Sequence, residues 1–145
     1  KLMERAGTSD IGTITALYTV LVEGDDMNEP IADTARGILD GHIVLSRRLA
    51  AMGHYPAIDV LESVSRVMKD VIHPQHRTNA QNMKEMLAAY REAEDMISVG
   101  AYQKGANPMV DKAMDLRNQT RKFLRQEVED PTDFKQIVEE LVQFS

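Results

Sequence analysis

The sequence predicts an α/β layer followed by a small all-helical domain, and three observations carry that assignment. β-branched and apolar runs at 11–23 and 42–46 alternate with helix-spaced segments over the first half of the chain. After Met68 the apolar residues recur only at three- and four-residue steps, the period of helices with one buried face. The 145 residues, 43% of them hydrophobic, are enough for one domain with a core, or for a small domain with part of another attached.

Residues 11 to 23, from Ile11 to Glu23, lack polar alternation, which predicts a strand buried on both faces of a parallel sheet. Gly24-Asp25-Asp26-Met27-Asn28-Glu29-Pro30 follows as an acidic turn, and Ile31, Ala35, Ile38 and Leu39 mark a helix. His42 to Ser46 reads as a second strand, and Arg47 to Met52 as a short helix stopped by Gly53. This order is that of the end of an α/β layer whose earlier strands lie outside this sequence.

The helical half begins at His73-Pro74. Met83, Met86, Leu87, Tyr90, Ala93 and Ile97 predict one long amphipathic helix ending at Gly100. A second helix is expected from about Pro108 to Gln126, capped by Asn107, and a third is expected with Asp130 as cap, Pro131 at its first position and Asp133 in its first turn. The division is placed at 1–69 and 70–145. Met83, Met86, Met96, Met109 and Met114 read as core filling, and the four histidines as too scattered for a metal site.

Composition removes several classes. The absence of cysteine excludes disulfides and thiolate zinc sites. The net charge of -6 argues against nucleic acid as a partner, since phosphate-backbone affinity needs clustered cations. No run is long enough to span a bilayer, and the start at Lys1-Leu2-Met3 carries neither an initiator methionine nor a signal peptide, so a piece of a longer cytosolic chain is expected. No Gly-x-x-x-x-Gly-Lys-Ser/Thr loop occurs, so the cradle and magnesium ligands for phosphoryl transfer are not within this sequence, and the chain alone is expected not to hydrolyse a nucleotide.

The stretch His54-Tyr55-Pro56-Ala57-Ile58-Asp59-Val60-Leu61-Glu62-Ser63-Val64-Ser65-Arg66 has neither period and reads as a loop. Pro56 stiffens the backbone beside the Tyr55 ring, and Ser63, Ser65 and Arg66 close the stretch with two hydroxyls and a guanidinium fork suited to phosphate. By residue type alone two readings stand: a nucleotide edge, or a turn whose arginine pairs with a nearby acid.

Pro56-Ala57-Ile58-Asp59 with Ser63-x-Ser65-Arg66 resembles the signature of the hexameric ATPase family that holds the rotary ATP synthase α and β subunits and the flagellar and type III secretion export ATPases. Val22-Glu23-Gly24-Asp25-Asp26 and Leu39-Asp40-Gly41-His42-Ile43-Val44-Leu45-Ser46-Arg47 resemble it in the same order. Within the family, Gly41 to Arg47 and Ser98-Val99-Gly100-Ala101-Tyr102-Gln103-Lys104-Gly105 are most similar to the export ATPases. Rotary β subunits carry a strongly acidic loop at the second place, where this chain has Lys104.

The resemblance implies that residues 1–69 are the end of a RecA-like nucleotide-binding parallel sheet and 70–145 a C-terminal helical domain. It implies Arg66 as the arginine finger reaching a neighbour's γ-phosphate, and Tyr55 as the ring stacked on adenine in the chain's own site, with Gln126 and Val128 on the other side of that pocket. Asp25 and Asp26, and Tyr102, Gln103 and Lys104, match loops facing a central stalk or export gate. The implied cofactor is ATP with Mg2+, the implied assembly a homo-hexamer working with a stalk protein, an export gate and chaperone–substrate complexes. The implied place is the cytoplasm, peripheral at the inner face of the membrane. Two alternatives stay open: an injectisome rather than a flagellar ATPase, and a non-enzymatic module docking a stalk or chaperone.

Overall fold

A computed structural model describes residues 3–27 and 29–145; Lys1, Leu2 and Asn28, the last within the predicted acidic turn, lie outside the described residues. The chain forms two compact units, Lys1–His42 and Ile43–Ser145.

In the first unit, β1 (Gly7–Thr8) and β2 (Thr13–Ile14) pair antiparallel, with Gly7 opposite Ile14 and Thr8 opposite Thr13. Helix α1 (Pro30–Ile38) forms where predicted, with Pro30 opening it and an Asp33–Arg36 pair at 3.0 Å on its surface. Its buried face is Ala32 and Ala35, whereas Ile31, expected on the inner stripe, is exposed.

The buried strand expected over residues 11–23 is not formed. Only Thr13–Ile14 is strand, residues 15–22 have no regular structure, and Ile11, Leu17 and Leu21 are each more than nine-tenths exposed. The physical reason is that a strand exists through its ladder partners, and among the described residues only β1 pairs with this run.

The second unit contains a two-stranded sheet of β3 (Gly41–Leu45), which begins just before this unit, and β4 (Ile58–Ser65). Between them lies α2 (Arg47–Ala51), whose cap Ser46 accepts from the Leu49 amide through Oγ at 3.4 Å. Gly53, at φ 65°, takes the left-handed turn that ends the helix, as its position predicts. The reading of 54–66 as a loop is corrected here, because Ile58–Ser65 is the longest strand among the described residues. Half-buried Asp59, Leu61 and Ser63 interrupt simple polar alternation, and the Ser63 hydroxyl is itself part of the pairing: it accepts from the Val44 amide at 3.0 Å and donates to the Asp59 carbonyl at 2.6 Å.

After the short α3 (Met68–Val71), α4 (Pro74–Ser98) is the spine of the unit. His73 caps it through Nδ1, which accepts from the Gln75 amide at 3.3 Å, and Pro74 opens it. Its Met83 and Met86 meet Ala113, Leu141 and Phe144 in the core, where Phe123 and Phe144 pack edge to face at 5.3 Å. Met83 and Met86 fill the core as expected and Met109 packs against it, whereas Met96 is more than half exposed.

The helix expected from Pro108 to Gln126 is two helices, α5 (Pro108–Asp115) and α6 (Arg117–Leu124). Leu116, at ψ 4°, separates them, and the Thr120 hydroxyl donates to the Leu116 carbonyl at 3.0 Å, the back-bonding that bends helices. Asn107 caps α5 as predicted, Oδ1 accepting from the amides of Met109 at 2.9 Å and Val110 at 3.4 Å.

The last helix, α7 (Phe134–Glu140), continues into a 3-10 turn over Leu141–Phe144. Its cap is Asp133 rather than Asp130. Asp130 Oδ1 is engaged by the amide and hydroxyl of Thr132, so it closes a local turn and the helix begins three residues later.

Candidate functional site

Strand β4 organises the site. Tyr55 precedes it and Arg66 follows it directly. Seven steps of about 3.3 Å separate Ile58 from Ser65, so the two side chains the resemblance singles out sit roughly 23 Å or more apart along one strand. They cannot touch one small ligand together.

At the Tyr55 end, two segments distant in sequence are joined. The Tyr55 carbonyl accepts from the Gln126 amide at 3.0 Å, and the Arg125 guanidinium donates to the Gly53 carbonyl. The Tyr55 ring remains 57% exposed, a flat apolar face beside the 125–126 segment. Gln126 turns its side-chain amide to the Asp130 carbonyl at 3.1 Å. Val128 is 98% exposed, two residues beyond the joint. The structure therefore brings Tyr55 and Gln126 together and leaves Val128 on the surface.

His54, in the same turn, is held below the ordinary imidazole range first by burial and then by the Arg125 and Arg121 cations, against a hydrogen bond that its ring donates to the Leu124 backbone carbonyl. It is a neutral ring in a positive neighbourhood.

The strand is locked onto α4 by charge. Arg91 reaches both carboxylate oxygens of Asp59 at 2.8 Å and Glu62 at 3.3 Å, and Lys84 Nζ donates to the Ser63 carbonyl at 3.1 Å. Burial alone would raise the Asp59 carboxyl, but Arg91 and the amides of Glu62 and Leu61 outweigh it and hold the group below its usual range. Arg48 is matched to Glu94 at 2.5 Å in the same way, and its pKa is raised by that contact. None of these partners was legible beforehand; Arg91 lies 32 residues from Asp59, and no local spacing links them.

Between α2, β4, α4 and the α5–α6 pair lies an open cleft of ≈ 340 Å³. Leu49, Ile58, Leu87 and Leu124 give it an apolar floor, and arginines stand along its walls.

At the other end of α4, Gly100 (φ 72°) turns the chain into the loop that carries Tyr102, Gln103 and Lys104. This loop is folded back on α5. The Tyr102 hydroxyl donates to Asp111 Oδ1 at 3.0 Å and accepts from the Asn107 amide at 3.2 Å, Asp111 Oδ2 accepts from the Gly105 amide at 2.8 Å, and Lys104 pairs with Asp115 at 2.9 Å. Gln103 is exposed at its tip. In the first unit, Asp25 belongs by its backbone to the 3-10 turn Glu23–Asp25, its side chain lying outside the described residues, and Asp26 follows, exposed.

Among the described residues no group of His, Asp or Glu is placed to hold a metal ion, and no helix is long and apolar enough to cross a membrane.

Two family models match this chain: the ATP synthase alpha/beta family nucleotide-binding domain over residues 1–65 and the type III secretion EscN ATPase C-terminal domain over 72–143. The flagellum-specific ATP synthase of Bacillus subtilis is 52% identical over 131 residues, which are 90% of this chain and 30% of that protein. The assembled ATPase EscN of the enteropathogenic E. coli type III secretion system aligns with a TM-score of 0.93 at 43% identity, covering 99% of this chain and 35% of EscN. The structure of EscN in complex with its central stalk EscO aligns at 0.88 and 42% identity, covering 99% of this chain and 34% of that one. The chain thus spans about a third of the length of the relatives it matches. With both models meeting between residues 65 and 72, and these relatives matching nearly all of it, the chain belongs to the ATP synthase alpha/beta-type family of flagellar and type III secretion ATPases.

Proposed function

We propose that this chain is the C-terminal part of an ATP-hydrolysing homo-hexamer that energises flagellar-type protein export, with residues 1–69 closing a RecA-like sheet and 70–145 forming the helical domain. The observation that carries the reading is the placement of Tyr55 and Arg66 at opposite ends of β4. One subunit's strand then serves two sites: Tyr55, with Gln126 and Val128 nearby, faces the adenine of its own nucleotide, and Arg66 completes the γ-phosphate site of the neighbour. An exposed ring beside an exposed aliphatic side chain is a fitting surface for a base. A guanidinium at the end of a fixed strand suits the charge that develops during phosphoryl transfer.

ATP supplies the phosphoryl group, and its phosphates and Mg2+ would be held by a phosphate loop and carboxylates that this sequence does not contain. The loops at Asp25–Asp26 and at Tyr102–Lys104 face the central stalk, the export gate and chaperone–substrate complexes. A stalk partner is supported by the solved complex of EscN with its central stalk EscO. The place of action is the cytoplasm, peripheral at the inner membrane face, without nucleic acid. An injectisome role is the second reading, favoured by the EscN likeness as strongly as the flagellar one is by the Bacillus relative.

The test is Arg66→Ala in the full-length protein. Hydrolysis is expected to fall by roughly three to five decades while nucleotide binding is kept. Loss of binding with an unchanged rate per bound nucleotide overturns the finger role. ATP turnover by the 145-residue chain alone, above a control, overturns the claim that the phosphate machinery lies elsewhere. Stalk or chaperone binding by residues 70–145 alone, without any nucleotide effect, favours a docking module over an enzyme.

A further inference from the structure

The sequence between Leu116 and Gln126 holds Arg117, Arg121, Lys122 and Arg125 and no acid, in a chain whose net charge is -6. Arg117 and Arg121 stand one turn apart on one face of α6, and Arg125 follows its end in extended backbone. Like charges at this spacing weaken a helix by a few tenths of a kcal/mol per pair. A stripe of this kind calls for an anion to offset it.

Among the described residues no carboxylate is paired with it. Arg48 and Arg91, on the walls of the same cleft, are each matched to a carboxylate. Arg117 instead lies over the Tyr90 ring at 5.7 Å, Arg125 meets only the Gly53 carbonyl, and among the described residues Arg121 has no carboxylate within ion-pair distance. Arg117 and Arg121 line the cleft above its leucine floor.

We infer that the cleft is a docking site for an acidic, leucine-bearing segment of a partner protein, its carboxylates on Arg117 and Arg121 and its apolar side chains on the floor. The shape selects this occupant. Arg117 and Arg121 stand one helical turn, about 6 Å, apart and share the cleft lining with Leu49, Ile58, Leu87 and Leu124, which matches acids one turn apart on a peptide helix with leucines beside them. The cleft is concave, which suits a protruding segment rather than a flat bilayer. The net charge of -6 over the whole chain disfavours a long nucleic-acid backbone. The site is independent of the roles given to Tyr55 and Arg66, neither of which lines it.

The test uses the full-length protein and a fluorescein-labelled twelve-residue helical peptide with Glu at every fourth position and Leu between. Saturable binding that weakens with salt is expected. Arg121→Glu, and separately Arg117→Gln with Arg121→Gln, should each weaken it about tenfold, a change of about 1.4 kcal/mol. The same peptide with Lys in place of Glu should prefer the Arg121→Glu protein. Unfolding midpoints of the variants close to wild type establish that folding is intact; Arg121, for which no ion pair or ring contact is described, is the variant to rely on if the Arg117 change unfolds the protein. No saturation up to about 1 mM, or binding unchanged in both variants, overturns the inference. So does full competition by citrate, which identifies a small-anion site. Loss of binding to phosphatidylglycerol vesicles in the Arg121→Glu protein, with the peptide unaffected, would assign the stripe to a membrane and overturn it equally.

Discussion

Replacing Arg91 by alanine tests whether charge holds β4 on α4. The guanidinium is 44% exposed and the Asp59 carboxylate 13%, so the pair lies between a surface ion pair and a buried one. Charge-assisted hydrogen bonds contribute about 1.5–3 kcal/mol and exposed pairs about 0.2–1, so after screening the loss should be about 1–2 kcal/mol. In a domain of this size that corresponds to a melting point lower by about 3–6 °C. Arg91→Lys should fall between, because an ammonium keeps the charge and loses the fork that meets both oxygens. The pH dependence has a definite sign. Asp59 is depressed in the folded chain, so its contribution is complete above the ordinary carboxylate range and is lost as pH falls through the depressed value. The gap between wild type and Arg91→Ala, measured by urea unfolding from about pH 7 downward, should therefore close in acid. A gap below about 0.3 kcal/mol near neutrality, or one that persists unchanged into strong acid, refutes the reasoning.

His54 should respond to its arginines. Arg121→Gln removes one of the two cations that lower it, so its proton NMR titration should move up toward the ordinary imidazole range; an unmoved titration means that Arg121 does not act on it and leaves burial and Arg125 as the cause. Because the folded value is lowered, the stability His54 contributes is whole above the unfolded value of about 6.5 and declines as pH falls through the folded one. Asn107→Ala should destabilise α5 by about 1 kcal/mol in urea titration, and Asn107→Asp should restore most of it; equal stability of all three would mean that the two amide contacts contribute nothing.

What was legible in the sequence was local. Caps and stops at Gly53, His73-Pro74, Gly100 and Asn107 act through one or two neighbours, and each stands where the residue type places it. The failures came where a partner distant in sequence decides. Val20 and its neighbours have strand-forming side chains but no ladder, while Ile58–Ser65, which looked aperiodic, is strand because β3 lies beside it. The break at Leu116, where ψ of 4° leaves the helical range, has no local signal: the Thr120 hydroxyl bonds the Leu116 carbonyl, but Thr34 and Thr78 make the same bond in helices that run on. The shift of the last cap from Asp130 to Asp133 is a competition between two good caps, settled by Thr132. In the site, the motif marked Tyr55, Asp59 and Arg66. Arg91 and Lys84 of α4, which bond Asp59 and Ser63, and Arg125 after α6, which bonds Gly53, have no spacing relation to the motif.

The apolar run of the first unit bears on how this chain behaves as a material. Ile11, Leu17 and Leu21 stand in water, residues 15–22 form no strand, and Thr13, Ile14, Thr15, Thr19 and Val20 between them are β-branched. Such a run is a template for intermolecular strand pairing, and no proline or charge interrupts it between Ile11 and Val22. In concentrated solution this run is where self-association would nucleate, with the chain's net negative charge as the opposing colloidal force.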